Sequence, residues 1–210
     1  MYIQLALDRY SIDEAIVIAR TSEEFVDWIE VGTSLIKEYG VESVSRIKKA
    51  FPHKVIVADI KTIDNALYEF EMCFRAGADV ATVMGVSPNA TIKACVETAE
   101  KMGKKVMIDL LNTNEEQKED LLKYKQAIFC AHVSKDEQEM SGKAAIDISQ
   151  MYDWTGMLAV AGGINLETIE KFKELQPDVM IIGSAITKAQ DQRLAAELFK
   201  NKINQWREQG

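Results

Sequence analysis

Short apolar runs recur along this chain about every 20 to 30 residues, at 3–7, 28–31, 55–58, 80–83, 106–108, 127–130, 157–160 and 179–182. Each is too short for an independent helix and is bounded by polar residues or glycine. Strands buried on both faces read this way, because a parallel sheet covered by helices has no wet face. Helical patterns fill the intervals. Ser11-Ile12-Asp13-Glu14 is a capping box, in which the Ser side chain takes a backbone N–H and the Glu reaches back. Apolar residues follow at Ala15, Ile16, Ile18 and Ala19. Further stripes are Val41, Val44 and Ile47; Leu67, Phe70 and Phe74; and Leu194, Leu198, Ile203 and Trp206. Gly77 and Gly103 stand where helices should end, and Thr113-Asn114-Glu115-Glu116 reads as a second capping box.

Eight strand–helix units in about 200 residues predict an α/β protein: a single (β/α)8 barrel spanning residues 1–210 as one domain. The rival is an open doubly wound sheet. It usually has fewer strands and a glycine-rich loop after the first, where this chain has Leu7-Asp8-Arg9.

Composition narrows the choice of partners. The 210 residues are 47% hydrophobic, enough for one full core, and the net charge is −8. An acidic surface argues against nucleic acid or an anionic membrane as partner. A phosphorylated substrate stays open, since backbone N–H groups hold phosphate without a basic patch. No stretch approaches the ~18 apolar residues of a membrane span. Met1-Tyr2-Ile3-Gln4-Leu5 enters a strand pattern without the marks of a signal peptide. Cys73, Cys95 and Cys130 are scattered without metal-ligand spacing, as expected of reduced thiols in a cytoplasmic protein.

The chemistry gathers at the strand ends. Asp8 ends the first run, Glu30 sits in the second, and Asp59 and Lys61 follow the third. Asp109 follows the fifth run, His132 the sixth, Gly162 and Gly163 the seventh, and Gly183 and Ser184 the eighth. In a barrel all of these converge on one mouth. Each has a plainer reading. Asp8 can cap a helix. A buried Glu30 needs compensation from a metal, a substrate or an ion pair with Lys61. His132 alone could be a satisfied histidine. The glycine pairs could be tight turns, or they could bring backbone N–H groups up to a phosphate.

Val57-Ala58-Asp59-Ile60-Lys61-Thr62-Ile63-Asp64 contains D-x-K-x-x-D at the third strand end. There it resembles the orotidine-monophosphate-decarboxylase superfamily. Further stretches carry the likeness: Gln4-Leu5-Ala6-Leu7-Asp8, Ile29-Glu30-Val31-Gly32-Thr33, Ala76-Gly77-Ala78-Asp79, Thr82-Val83-Met84-Gly85, Val160-Ala161-Gly162-Gly163-Ile164 and Ile182-Gly183-Ser184-Ala185-Ile186-Thr187. Together they resemble the branch that joins 3-hexulose-6-phosphate synthases with 3-keto-L-gulonate-6-phosphate decarboxylases, and the synthases more closely.

The resemblance implies a lyase of sugar phosphates. It implies a Mg²⁺ held by Glu30 and Asp59, and a homodimer in which Asp64 enters the partner's site near Lys61. Lys61 would then stabilise developing negative charge, His132 would transfer protons, and Asp8 and Asp109 would orient substrate hydroxyls. Asp109, Ala161 and Ser184 stand where the decarboxylases tend to carry Glu, Thr and Arg, which leans toward the synthases. Lys135 keeps a cation where the decarboxylases have Arg, and so departs from that pattern. Aldol synthase, decarboxylase and a non-catalytic sugar-phosphate binder remain open. A ribulose-phosphate epimerase is disfavoured, because it binds metal through histidines and this chain has only His53 and His132.

Overall fold

The computed structural model describes residues 1–133 and 156–208. Eight parallel strands close into a barrel in chain order: β1 Tyr2–Leu7, β2 Trp28–Val31, β3 Val55–Thr62, β4 Val80–Met84, β5 Lys105–Asp109, β6 Ile128–His132, β7 Met157–Ala161 and β8 Val179–Ile182. β8 returns to pair with β1, Leu5 opposite Ile182, so no edge strand is left open. Outside lie α1 Ile12–Ser22, α2 Thr33–Tyr39, α3 Glu42–Ala50, α4 Ala66–Arg75, α5 Asn89–Lys101 and α6 Glu115–Leu121. A 3-10 turn Ile169–Phe172, a one-turn helix Ser184–Thr187 and the last helix Gln192–Glu208 complete the ring.

Side chains alternate between two cores, because successive residues of a strand face opposite sides. Ile3, Leu5 and Leu7 of β1 point outward to the helices, as do Ile56 and Ala58 of β3. Inside the barrel lies a smaller apolar layer with Trp28, Val57, Val80, Met107, Ile128 and Val179. Two residues further along several of these strands, the inward position becomes polar: Glu30, Asp59, Thr82 and Asp109. One alternation thus builds both the floor and the chemistry above it.

The Ser11 box forms as expected: Glu14 N–H donates to Ser11 Oγ at 3.3 Å, and Glu14 Oε2 accepts from Ser11 N at 2.8 Å. Gly77 and Gly103 have φ of +108° and +64° just past α4 and α5, a region that suits glycine at helix ends. The second box is displaced by one residue. Asn114 caps α6 and pairs reciprocally with Gln117, while Thr113 Oγ1 donates to Leu110 O. Two stripes also need correction. Leu67 is exposed, and α4 buries Ala66, Phe70, Cys73 and Phe74. Leu194 and Leu198 are exposed, and the last helix packs through Ala196, Phe199, Ile203 and Trp206. In both cases residues between the expected positions complete a face at helical spacing.

Candidate active site

The C-terminal strand ends enclose a cavity of about 500 Å³. Asp8, Glu30, Asp59, Lys61, Asp109 and His132 line it on one side, and Gly162, Gly163, Gly183 and Ser184 on the other. Asp64 does not line it. It is exposed in the turn before α4. Lys135 lies outside the described residues.

Lys61 sits at an irregularity in β3. The register with β4 shifts between Ala58 and Thr62, and Lys61 takes φ +51°. A non-glycine residue held there stores roughly 1–3 kcal/mol of strain. Its N–H donates to Thr82 Oγ1 at 2.9 Å. The bulge aims the ammonium into the mouth, where Nζ lies 3.0 Å from Asp59 Oδ2 and 3.2 Å from Asp109 Oδ2. Burial alone would depress this ammonium. The carboxylates of Asp59, Asp109 and Glu30 outweigh burial, and its pKa is raised. Lys61 is therefore a fixed positive charge.

Asp109 is the hub beside it. Its Oδ2 also lies 2.9 Å from His132 Nδ1, and its Oδ1 accepts Leu111 N–H at 2.9 Å. Burial pushes this carboxyl up, but His132, Lys61 and the Leu111 N–H together bring it below its ordinary value. An ionised Asp109 favours the tautomer with hydrogen on Nδ1, which leaves Nε2 as the free proton acceptor of His132.

Glu30 is different. Its ordinary alternative, an ion pair with Lys61, does not form: Lys61 goes to Asp59 and Asp109 instead. Glu30 Oε2 accepts from the Gln4 amide at 2.5 Å. Burial and the neighbouring Asp59 push the Glu30 carboxyl up to about 8, against weaker opposition from Gln4 and Lys61. Asp59 is held by Thr33 Oγ1 at 2.7 Å and Thr82 Oγ1 at 3.0 Å as well as by Lys61. Asp8 does serve as a cap, though for another helix than its own: Oδ1 accepts Ser34 N–H at 2.8 Å, in the first turn of α2. Gly32 leads into that helix, and any side chain there would strike Leu7 O, 2.5 Å from where its Cβ would stand.

The glycine side is equally constrained. Gly162 and Gly163 have φ of +109° and +63°, and a Cβ on Gly162 would lie 2.7 Å from Val133 O. Gly183 precedes the one-turn helix Ser184–Thr187, which has no side-chain cap.

Sequence reasoning assigned no role to Thr33, Thr82 or Gln4. Thr82 could have been found by counting two residues on from the buried Val80. Gln4 was hidden in an apolar run. It is fully buried, and its Oε1 has no hydrogen-bond partner among the described residues. An unsatisfied carbonyl of this kind costs about 1–3 kcal/mol.

Residues 1–199 match the family described as "Orotidine 5'-phosphate decarboxylase / HUMPS family". The chain is 34% identical over 209 residues to the 3-hexulose-6-phosphate synthase of Bacillus subtilis (strain 168), covering 98% of this chain and 100% of that one. It superposes with TM-score 0.94 on the crystal structure of 3-hexulose-6-phosphate synthase from Salmonella typhimurium, at 35% identity, over 98% of this chain and 100% of that one. It is also similar to KGPDC from Streptococcus mutans, solved in complex with a sugar-phosphate ligand. That match has TM-score 0.90 at 26% identity and covers 97% of each chain.

Proposed function

The chain belongs to the orotidine 5'-phosphate decarboxylase / HUMPS family, and on that premise we propose that it is a lyase joining formaldehyde to D-ribulose 5-phosphate to give 3-hexulose 6-phosphate. The observation that carries this reading is the full-length likeness to 3-hexulose-6-phosphate synthases in both sequence and structure. The mouth has the groups the reaction needs. Forming the new C–C bond requires removal of a proton from C1 of the ketose, attack of that carbon on formaldehyde, and protonation of the aldehyde oxygen. His132, held through Nδ1 by Asp109, takes the C1 proton at Nε2. Lys61 stabilises the developing oxyanion, its charge kept on by Asp59 and Asp109. Asp8 and Asp109 orient substrate hydroxyls. The backbone of Gly162, Gly163, Gly183 and Ser184 receives the phosphate, and the uncapped first turn after Gly183 supplies free N–H donors.

The donor set fits a hard divalent cation. Glu30 is a buried carboxylate bonded to a neutral amide and repelled by Asp59, an arrangement that a cation between the two relieves. Among the described residues no three His, Cys, Asp or Glu side chains gather as ligands. Mg²⁺ suits such a place, since it binds through one or two carboxylates and keeps water and substrate oxygens. Glu30 and Asp59 would hold it. When bound, Mg²⁺ supplies Lewis-acid stabilisation of negative charge beside the ketone.

We also infer a homodimer in which Asp64 serves the partner's mouth. Asp64 is exposed, away from its own cavity, and Asn65 rather than Asp64 occupies the N-cap of α4. Ile63, Leu67 and Tyr68 around it are exposed apolar groups that a second copy would cover. Mixing Asp64→Ala with Lys61→Ala subunits should restore up to about a quarter of wild-type activity, because half the dimers are mixed and each has one intact site of two. No recovery after verified exchange would assign Asp64 to its own subunit.

No helix among the described residues is long and apolar enough to cross a membrane. The three cysteines are free and buried, which suits a reducing cytoplasm.

A decarboxylase is the second reading, favoured by the likeness to KGPDC and by Lys135. One experiment separates the two. ¹³C-formaldehyde and ribulose 5-phosphate should give a hexulose phosphate labelled at one carbon, faster than CO₂ is released from 3-keto-L-gulonate 6-phosphate. The reverse order would overturn the aldol assignment.

A further inference from the structure

Gln4 does not fit the layer it lies in. On the ladders it stands opposite Trp28 of β2 and Ile181 of β8, both members of the apolar inner core. It is fully buried, yet only one end of its amide is satisfied: Nε2 donates to Glu30 Oε2 and Oε1 has no partner among the described residues. An apolar side chain of the same length would fill this space without a stranded carbonyl. Packing therefore does not account for the amide, whereas its single bond does. The ladder partner of Glu30 is Ala6, not Gln4, so the amide reaches Glu30 from one layer below. Ala6 itself lines the cavity, and its small side chain leaves the space beside Glu30 open.

We propose that Gln4 is a positioning residue for the cation site. Its amide holds Oε2 of Glu30 from beneath, fixes the carboxylate rotamer before the ion arrives, and leaves the other oxygen for the cation. The proposal rests on the reading of Glu30 as a ligand. Partners that orient a ligating side chain in this way typically change metal affinity by about 10- to 100-fold when removed.

The test uses the whole metal-free chain with Mn²⁺ as probe, free ion being counted by its EPR signal. Four proteins are compared: wild type, Glu30→Gln, Gln4→Met and Gln4→Leu. Met keeps the length of Gln4 without the donor, and Leu guards against a packing fault peculiar to Met. Both Gln4 variants should bind Mn²⁺ about 10- to 100-fold more weakly than wild type. Their metal-free melting temperatures should equal or exceed that of wild type, because the stranded carbonyl is gone. Unchanged Mn²⁺ affinity in the Gln4 variants, with binding lost in Glu30→Gln, overturns the role of Gln4 and leaves the ligand reading standing. Wild-type affinity in Glu30→Gln, or no binding by wild type, overturns the ligand reading and the proposal with it. A fall in melting temperature at unchanged affinity marks Gln4 as merely structural and also overturns it.

Discussion

The two ends of this barrel use the same carboxylate chemistry to opposite ends. At the N-terminal end, Asp27, Asp79 and Asp178 each stand one residue before an even-numbered strand, β2, β4 and β8. Each accepts a backbone N–H from the strand before it: Ile3 at 2.8 Å, Ile56 at 3.0 Å and Leu158 at 2.8 Å. Lysines complete two of them. Lys200 binds Asp27, and Lys48 and Lys104 both bind Asp79. At the other end, Asp8, Glu30, Asp59 and Asp109 crowd one cavity around a strained Lys61, and Glu30 meets only an amide. Saturated carboxylates hold a fold together. Carboxylates left short of positive charge are available to a cation and a substrate. Charge at the bottom is spent on stability, and charge at the top is held in reserve for chemistry.

The comparison can be broken by substitutions at either end. The largest effect is expected at the top. His132→Gln should lower kcat by about 10²–10⁴-fold while leaving the melting temperature nearly unchanged. A variant that keeps a tenth of wild-type turnover would remove His132 from proton transfer.

Asp79→Ala should do the converse. It strands Lys48, Lys104 and the Ile56 N–H, and should cost about 1–3 kcal/mol. For a chain of this size that is ~2–4 °C per kcal/mol. Turnover well below the melting point should be unaltered, and a parallel fall in kcat would show that the two ends are not separable.

The same residue carries a pH signature. Burial raises the Asp79 carboxyl, but Lys104, Lys48 and the Ile56 N–H outweigh it, and the folded value lies below the ordinary 3.8. Its contribution is therefore present above the unfolded value and lost as pH falls through the folded one. The stability gap between wild type and Asp79→Ala should close in acid, which denaturant titrations across pH would detect.

The smallest effect should come from Asp178→Asn. An amide oxygen still accepts the Leu158 N–H, so the change should stay within about 1 kcal/mol. A larger loss, read from chemical denaturation, would mean that the negative charge itself matters there.

How far the architecture was legible depends on what each position faces. The strands Trp28–Val31 and Val179–Ile182 match their apolar runs end to end, since every residue is buried. β3 runs four residues past its apolar stretch, because Asp59 and Lys61 continue it with polar side chains facing the mouth. Hydrophobicity cannot mark a strand where the inner side is a reaction vessel. The converging acids, Lys61 and His132 were visible as strand-end residues, and the structure brings them to one cavity. Their pairing was not visible. Whether Lys61 meets Glu30 or Asp109 depends on a bulge and a positive φ that no periodicity encodes. Gln4 escaped notice because a lone amide in an apolar run carries no pattern.

The most direct test is a single substitution read twice. Burial and Asp59 raise the Glu30 carboxyl from 4.5 to about 8. A raised carboxyl contributes stability below its unfolded value and loses it as pH climbs through the folded one. Metal-free wild type should therefore lose stability between about pH 5 and 8 from this group, and Glu30→Gln should not. Thermal melts of both proteins across that range, beside formaldehyde-dependent turnover with Mg²⁺ present, measure both halves of the claim. Glu30→Gln is expected to be inactive and to melt at or above wild type, with the margin widening toward alkaline pH. A Glu30→Gln protein that melts below wild type at alkaline pH, or that turns over like wild type, would contradict the claim.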